Sequence, residues 1–121
     1  MSLRAYTRLD SGVAVVELDG RILLGDGASF LRETVEQVLD AGHKNVLLDL
    51  EGVSYIDSAG LGELVACNKL AHSRGANIKL VHLQKKIKDL LQITKLITIF
   101  ETFMDENEAV QSFNRSNSTQ A

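Results

Sequence analysis

Apolar and polar positions along the chain follow two different periods, which predict strands that alternate with helices. A short run rich in β-branched residues, 13–18, lies between a Ser-Gly pair and an Asp-Gly pair and predicts a strand. Residues 3–8 alternate weakly, and the two-residue Ser11-Gly12 connection suits a hairpin between these segments. The chain is therefore expected to begin with an antiparallel pair, followed by a short strand edge at 22–24.

Beyond this hairpin the apolar positions adopt helical spacing, interrupted by further strands. Helical spacing occurs in the segments 31–40, 58–73 and 87–94. Gly42 is placed to end the first of these helices. Residues 46–50 form a nearly unbroken apolar run, which is typical of a strand covered on both faces at the centre of a parallel sheet. Residues 78–83 predict another strand, and 99–103 a short edge strand.

The end of the chain predicts one more helix and a polar tail. Asp105 followed three residues later by Glu108 resembles a capping box in front of an apolar stripe that ends at Phe113. The residues from 114 onward are polar, and we expect them to be disordered. The whole pattern predicts a single α/β domain over residues 1–113, with a disordered tail at 114–121. Its sheet should be mixed, with an antiparallel start and parallel later strands, and should carry about four helices.

Composition narrows the classes of function. The 121 residues carry a formal net charge of −3, so there is no basic footprint for nucleic acid. No apolar run approaches the ~20 residues of a membrane span, and no signal-peptide pattern begins the chain. The single cysteine, Cys67, excludes an internal disulfide and is expected to be a small buried residue rather than a nucleophile. We therefore expect a cytoplasmic protein that binds no nucleic acid and does not insert into membranes.

The segment 56–62, Ile-Asp-Ser-Ala-Gly-Leu-Gly, joins the central strand region to the second helix. Either Asp57 or Ser58 can cap that helix. Gly60 and Gly62 are unfavourable there, since each costs about 0.8–1.0 kcal/mol relative to Ala in a helix interior. Glycines keep a helix end bare, so that a partner or a phosphate can approach the backbone, and the helix dipole favours added negative charge. From these residues alone, a structural cap and a regulatory phosphorylation site are about equally favoured.

The longer segment 46–62 closely resembles the signature of STAS domains, named for sulphate transporters and anti-sigma-factor antagonists, and the resemblance extends from Val13 to about Phe113. It implies that Ser58 is a phosphorylation site. It also implies that the unphosphorylated protein binds an anti-sigma factor with serine kinase activity, and that a serine phosphatase reverses the modification. Many members have Ser or Thr where this chain has Ala59, so Ser58 is the only acceptor in this motif.

The resemblance also implies which residues meet the partner. In the family, the loop corresponding to 21–26 helps to contact the kinase, and here this loop is one residue longer than usual. The expected partner-binding residues are Asp57, Ser58, Ala59, Gly60, Leu61 and Gly62 of the motif, with Arg21, Leu23, Leu24 and Asp26 of the loop. The expected function is a non-enzymatic anti-sigma-factor antagonist without a cofactor, switched by phosphorylation.

Two alternatives stay open. The chain could be a STAS scaffold or transport-complex subunit that does not switch, with Ser58 only capping a helix. A serine hydrolase is less favoured. Ser58 and His82 both fall near carboxyl ends of strands, but Ile56 stands where a nucleophile elbow requires glycine.

No metal site is predicted either. His43, His72 and His82 show no paired ligand spacing. Asp49 resembles a receiver-domain phosphoacceptor, but it lacks the paired acidic residues after the first strand that would hold Mg²⁺.

Overall fold

The computed structural model describes residues 3–118, and these form five strands, four α-helices and one 3-10 turn. The strands are β1 Leu3–Asp10, β2 Val13–Ile22, β3 Asn45–Ile56, β4 Asn77–Val81 and β5 Thr102–Phe103. The helices are α1 Asp26–Asp40, α2 Ser58–Ser73, α3 Lys85–Ile93 and α4 Glu106–Ser118, with the 3-10 turn at Leu96–Thr98.

The strands form one sheet in the order β1-β2-β3-β4-β5. Strand β1 is antiparallel to β2, and the pairs β2-β3, β3-β4 and β4-β5 are all parallel. The sequence prediction of a mixed sheet with an antiparallel start is therefore confirmed. The apolar run at 46–50 does lie in β3, the central strand, which has a partner on each side.

Helices cover the two faces of the sheet unequally. On one face α1, α2 and α3 bury a large apolar core, in which Leu31, Leu64 and Leu91 are inaccessible to solvent. On the other face α4 is the one helix of residues 3–118 that packs, and its residues Val110 and Phe113 cover a smaller apolar cluster. Because α4 reaches only part of this second face, the middle of β1, β2 and β3 remains open there and carries polar side chains.

Several details differ from the sequence prediction. There is no separate short strand at 22–24, because β2 itself continues through Ile22. Strand β4 ends at Val81, before the expected Leu83. Helix α4 continues through residues 114–118 instead of ending at Phe113 as the sequence predicted. That stretch contains neither glycine nor proline to stop the helix. The predicted disorder of 119–121 falls outside the described residues.

A buried lysine under α4 is a feature that the apolar pattern of β4 did not predict. Lys79 is only 7% exposed, and its ammonium donates to the Ser112 hydroxyl at 2.8 Å. The ammonium also lies 3.0 Å from a Glu101 carboxylate oxygen and 4.5 Å from the ring centre of Phe113. Charge pairing and the aromatic face compensate for removing the ammonium from water.

Candidate functional site

Asp57 ties the start of α2 to the end of β2. One carboxylate oxygen accepts the Gly60 N–H at 2.8 Å, and the other accepts the Leu24 N–H at 2.9 Å. The backbone N–H of Asp57 donates to the Ile22 carbonyl at 3.2 Å. The structure thus assigns the cap, which the sequence left open between two residues, to Asp57. One carboxylate holds the predicted loop and the predicted motif together.

The same contacts set the charge of Asp57. Backbone N–H groups, that of Leu24 first and that of Gly60 second, hold the pKa of the Asp57 carboxyl below its usual range. Hydrogen bonds to a carboxylate favour its ionised form. Asp57 is therefore negatively charged at neutral pH, directly beside Ser58.

Ser58 is the first residue of α2 and is exposed to solvent. Within the described residues its hydroxyl has no hydrogen-bond partner, because the capping role falls to Asp57. The hydroxyl therefore lies at the positive end of a 16-residue helix, and the fold does not use it as a cap.

The two glycines of the motif differ in whether the packing around them requires a glycine. A Cβ on Gly60 would lie 2.2 Å from the Ile22 carbonyl oxygen, so this glycine is required where α2 packs against the end of β2. A Cβ on Gly62 would meet nothing within 4 Å, so no packing contact requires this glycine. The idea that both glycines keep the helix surface bare therefore fits Gly62 only. Leu61, 9% exposed, also packs into the core.

The loop after β2 contributes an apolar surface at the same end of the sheet. Leu24 is 80% exposed, Arg21 and Asp26 are exposed, and Leu23 is half-buried. Ala59 of the motif is half-buried as well. The expected partner surface thus consists of exposed groups around Ser58 and Leu24, while Gly60 and Leu61 support it from beneath.

Tyr55 is a surface residue of this region that the sequence analysis did not single out. It is 52% exposed and pairs with Arg21 in the β2-β3 register. The register shifts just before this pair, since Gly20 pairs with Val53 and Ser54 is skipped. Strict alternation cannot predict the direction of a side chain that follows such a bulge, so the sequence held no usable signal for Tyr55.

The residues of the hydrolase alternative are not assembled into a catalytic pair. The His82 Nδ1 lies 3.2 Å from an Asp49 carboxylate oxygen, and in the described residues no histidine is hydrogen-bonded to Ser58. The carboxylate of Asp57, which precedes Ser58 in the sequence, accepts hydrogen bonds from backbone N–H groups instead. In the described residues, neither of these groups is hydrogen-bonded to the Ser58 hydroxyl as the general base of a serine nucleophile is.

Two further sequence expectations can be compared with the structure. Cys67 is 1% exposed, and burial raises the pKa of its thiol to about 12, as expected for a core residue rather than a nucleophile. Among the helices of residues 3–118, none combines the length and the apolar character needed to cross a membrane.

A mixed sheet that begins with an antiparallel pair, and an aspartate-capped helix that begins with an exposed serine, define the class of this protein. The chain belongs to the STAS domain family, which matches residues 5–109. This membership confirms the resemblance that the motif at 46–62 indicated.

The chain is also similar to individual proteins, in sequence or in fold. The chain is 32% identical over 84 residues to the anti-sigma-B factor antagonist of Bacillus subtilis (strain 168), which covers 69% of this chain and 76% of the relative. An anti-sigma factor antagonist from Mycobacterium paratuberculosis has a similar fold, with a TM-score of 0.78 at 20% identity over 92% of this chain and 93% of the other. The Bacillus cell fate determinant SpoIIAA in its phosphorylated form gives a TM-score of 0.68 at 15% identity, over 91% and 99% of the two chains.

Proposed function

We propose that this protein is an anti-sigma-factor antagonist that binds an anti-sigma factor when Ser58 is unphosphorylated and is released when Ser58 is phosphorylated. The observation that carries the proposal is the exposed Ser58 hydroxyl, which starts α2 while the neighbouring Asp57 does the capping. A serine that the fold does not need as a cap is free to serve as a switch. The name of the Bacillus subtilis relative supports the same class of function.

The proposed partner is an anti-sigma factor that is also an ATP-using serine kinase, and a serine phosphatase would reset the switch. The protein itself acts by binding rather than by catalysis, and it works in the cytoplasm. Its contact surface, called the Ser58 surface below, comprises Ser58, Gly62 and the exposed Leu24, and we include Tyr55, which is exposed near the end of β3. Exposed apolar side chains next to a polar, modifiable centre are typical of a protein interface.

Electrostatics explains how phosphorylation would release the partner without unfolding the antagonist. A phosphate adds about −1.5 to −2 charges, and at a helix N-terminus this charge is favoured by typically 0.3–1 kcal/mol. In the complex the same charge would have to lose its water beside the ionised Asp57. Desolvating an unpaired charge is costly, so the phosphate disfavours the complex while α2 stays intact.

The test is a matched set of variants titrated calorimetrically with the anti-sigma factor that wild-type protein captures from its source cells. Ser58→Asp should weaken binding more than about tenfold, or 1.4 kcal/mol, and stoichiometric phosphorylation should weaken it further. Ser58→Ala should bind like the wild type, escape phosphorylation, and unfold within about 0.5 kcal/mol of it, because Asp57 supplies the cap.

The matched control is Ser11→Asp. Ser11 is exposed in the β1-β2 turn, at the opposite end of β2 from the Ser58 surface, and its φ of 51° is one that Asp tolerates. This variant adds the same charge and should bind normally. If Ser58→Asp and the phosphorylated protein bound as tightly as the Ser11→Asp control, the switch would be refuted, and a scaffold that does not switch would be the better assignment.

A further inference from the structure

Two neighbouring parallel strands bring together three potential metal ligands that lie far apart in the sequence. Asp49 and Glu51 are two residues apart on β3, and both face the side of the sheet that α4 only partly covers. Val81 of β4 pairs with Asp49, and His82 follows it directly. The loop after β4 therefore places the His82 imidazole beside the two carboxylates.

The distances among these groups suit a single ion. The His82 Nδ1 lies 3.2 Å from the nearer Asp49 oxygen and 3.8 Å from a Glu51 carboxylate oxygen. One ligand atom from each of the three residues lies within 4.8 Å of the other two. Ligands at about 2.0–2.2 Å around a tetrahedral zinc ion are themselves roughly 3.3–3.6 Å apart. The Glu51 side chain, 79% exposed, is free to make the small movement that closes the site.

The backbone holds the three residues in place. The Asp49 carboxylate accepts the Glu51 N–H at 3.0 Å, which orients it. The Glu51 carbonyl accepts the Gln84 side-chain amide at 2.8 Å, and the His82 N–H donates to the Phe103 carbonyl at 3.1 Å. The segment that carries His82 is thus fastened to strands on both sides, so the ligands are preorganised.

The negative charge of the two carboxylates is not matched by an arginine or lysine. In the part of the chain that the structure describes, the ion pairs of Asp49 and Glu51 are with His82 alone. The Arg8 guanidinium, on the same face, already forms ion pairs with carboxylate oxygens of Glu17, at 2.8 Å, and of Glu106, at 2.6 Å. The Asp49 side chain is only 10% exposed, so a cation bound there would offset the free-energy cost of keeping its carboxylate away from water.

A cavity of about 580 Å³ opens beside the cluster on the uncovered part of the sheet. Its polar lining comes from Arg4, Tyr6, Glu17, Asp19, Asp49 and Glu51. This space leaves room for a water molecule or another small ligand on an ion held by the three side chains. An open coordination position of this kind is typical of a metal with three protein ligands.

We propose that Asp49, Glu51 and His82 bind a divalent transition-metal ion of the zinc type, with an open fourth position facing the cavity. Imidazole nitrogen as a ligand favours zinc over magnesium and calcium, which prefer oxygen-only sites. His82 would coordinate the ion through Nδ1 as a neutral imidazole, which leaves the ring proton on Nε2. The site involves none of the residues of the Ser58 surface and stands independently of the proposed switch.

The test is calorimetric titration of untagged, chelator-treated protein with zinc chloride, repeated with magnesium chloride. One zinc ion should bind per chain, and magnesium should bind at least tenfold more weakly. Glu51→Gln and His82→Ala should each weaken zinc binding at least tenfold. Glu51→Gln is the safer variant because its side chain is exposed, and thermal unfolding of both variants without metal confirms that they fold.

The matched control is His72→Gln, which removes an exposed histidine near the end of α2. It should bind zinc like the wild type. Cobalt substitution provides a direct readout, since a site with four or five ligands gives a stronger visible absorption than cobalt in water, and Glu51→Gln should reduce that absorption. Failure to bind zinc at millimolar concentration, or binding that Glu51→Gln and His82→Ala leave unchanged, would overturn the proposal.

Discussion

Two glycines in one helix, two residues apart, should respond in opposite directions to the same substitution. In Gly60→Ala the new methyl carbon would lie 2.2 Å from the Ile22 carbonyl oxygen and 2.8 Å from Cγ2 of Ile56. Normal contacts of this kind are about 1 Å longer, so α2 must move away from the end of β2. Overpacking of this severity costs about 1–3 kcal/mol, and the helix propensity of alanine returns at most about 1 kcal/mol.

In Gly62→Ala the methyl group meets open space, and only the gain in helix propensity remains. That gain is about 0.4–1 kcal/mol of added stability. For a domain of this size, about 1 kcal/mol corresponds to a shift in Tm of roughly 3–5 °C. We therefore expect Gly60→Ala to lower the Tm by several degrees and Gly62→Ala to raise it slightly.

Urea and thermal unfolding of the two variants beside the wild type measure this difference. A Gly60→Ala protein as stable as the wild type would contradict the close approach of α2 to Ile22. A destabilised Gly62→Ala protein would contradict the regular, solvent-facing helix at that position. Since Gly62 belongs to the proposed contact surface, Gly62→Ala should also weaken partner binding although it stabilises the fold.

The remaining predictions follow from two perturbed pKa values. The pKa of Asp57 is lowered in the folded state, so its contribution to stability is present above its unfolded pKa, about 3.9, and is lost as the pH falls through the lower folded value. Urea unfolding should therefore show Asp57→Asn to be less stable than the wild type at pH 6, and this difference should shrink at pH 3. An equal difference at both pH values would contradict the ionised cap. Cys67, with a pKa of about 12 and almost no exposure, should react with a thiol reagent at pH 8 only on unfolding, and rapid labelling of the native protein would contradict its burial.

Local pattern determined the architecture of this protein. The two-residue Ser11-Gly12 connection, the apolar run at 46–50 and the helical spacing of 58–73 are each read within one segment, and each produced the element that was predicted. The motif at 56–62 was likewise recognisable because its chemistry, an acid, a hydroxyl and glycines at a helix start, is contiguous in the sequence.

Only the tertiary structure decided which residues form hydrogen bonds with one another across separate elements. The sequence could not choose between Asp57 and Ser58 as the cap, because that choice depends on Leu24, which lies 33 residues away and donates to the Asp57 carboxylate. The burial of Lys79 depends in the same way on α4 lying over β4.

The three potential metal ligands illustrate the same limit. Asp49 and His82 are 33 residues apart, and no spacing rule connects them. Parallel pairing of β3 with β4 sets Val81 beside Asp49, and His82 then follows into contact. Periodicity in a sequence reports which face a residue occupies along its own element. Which residues meet across elements is decided by the pairing register and by helix packing, because these combine segments that the chain keeps apart.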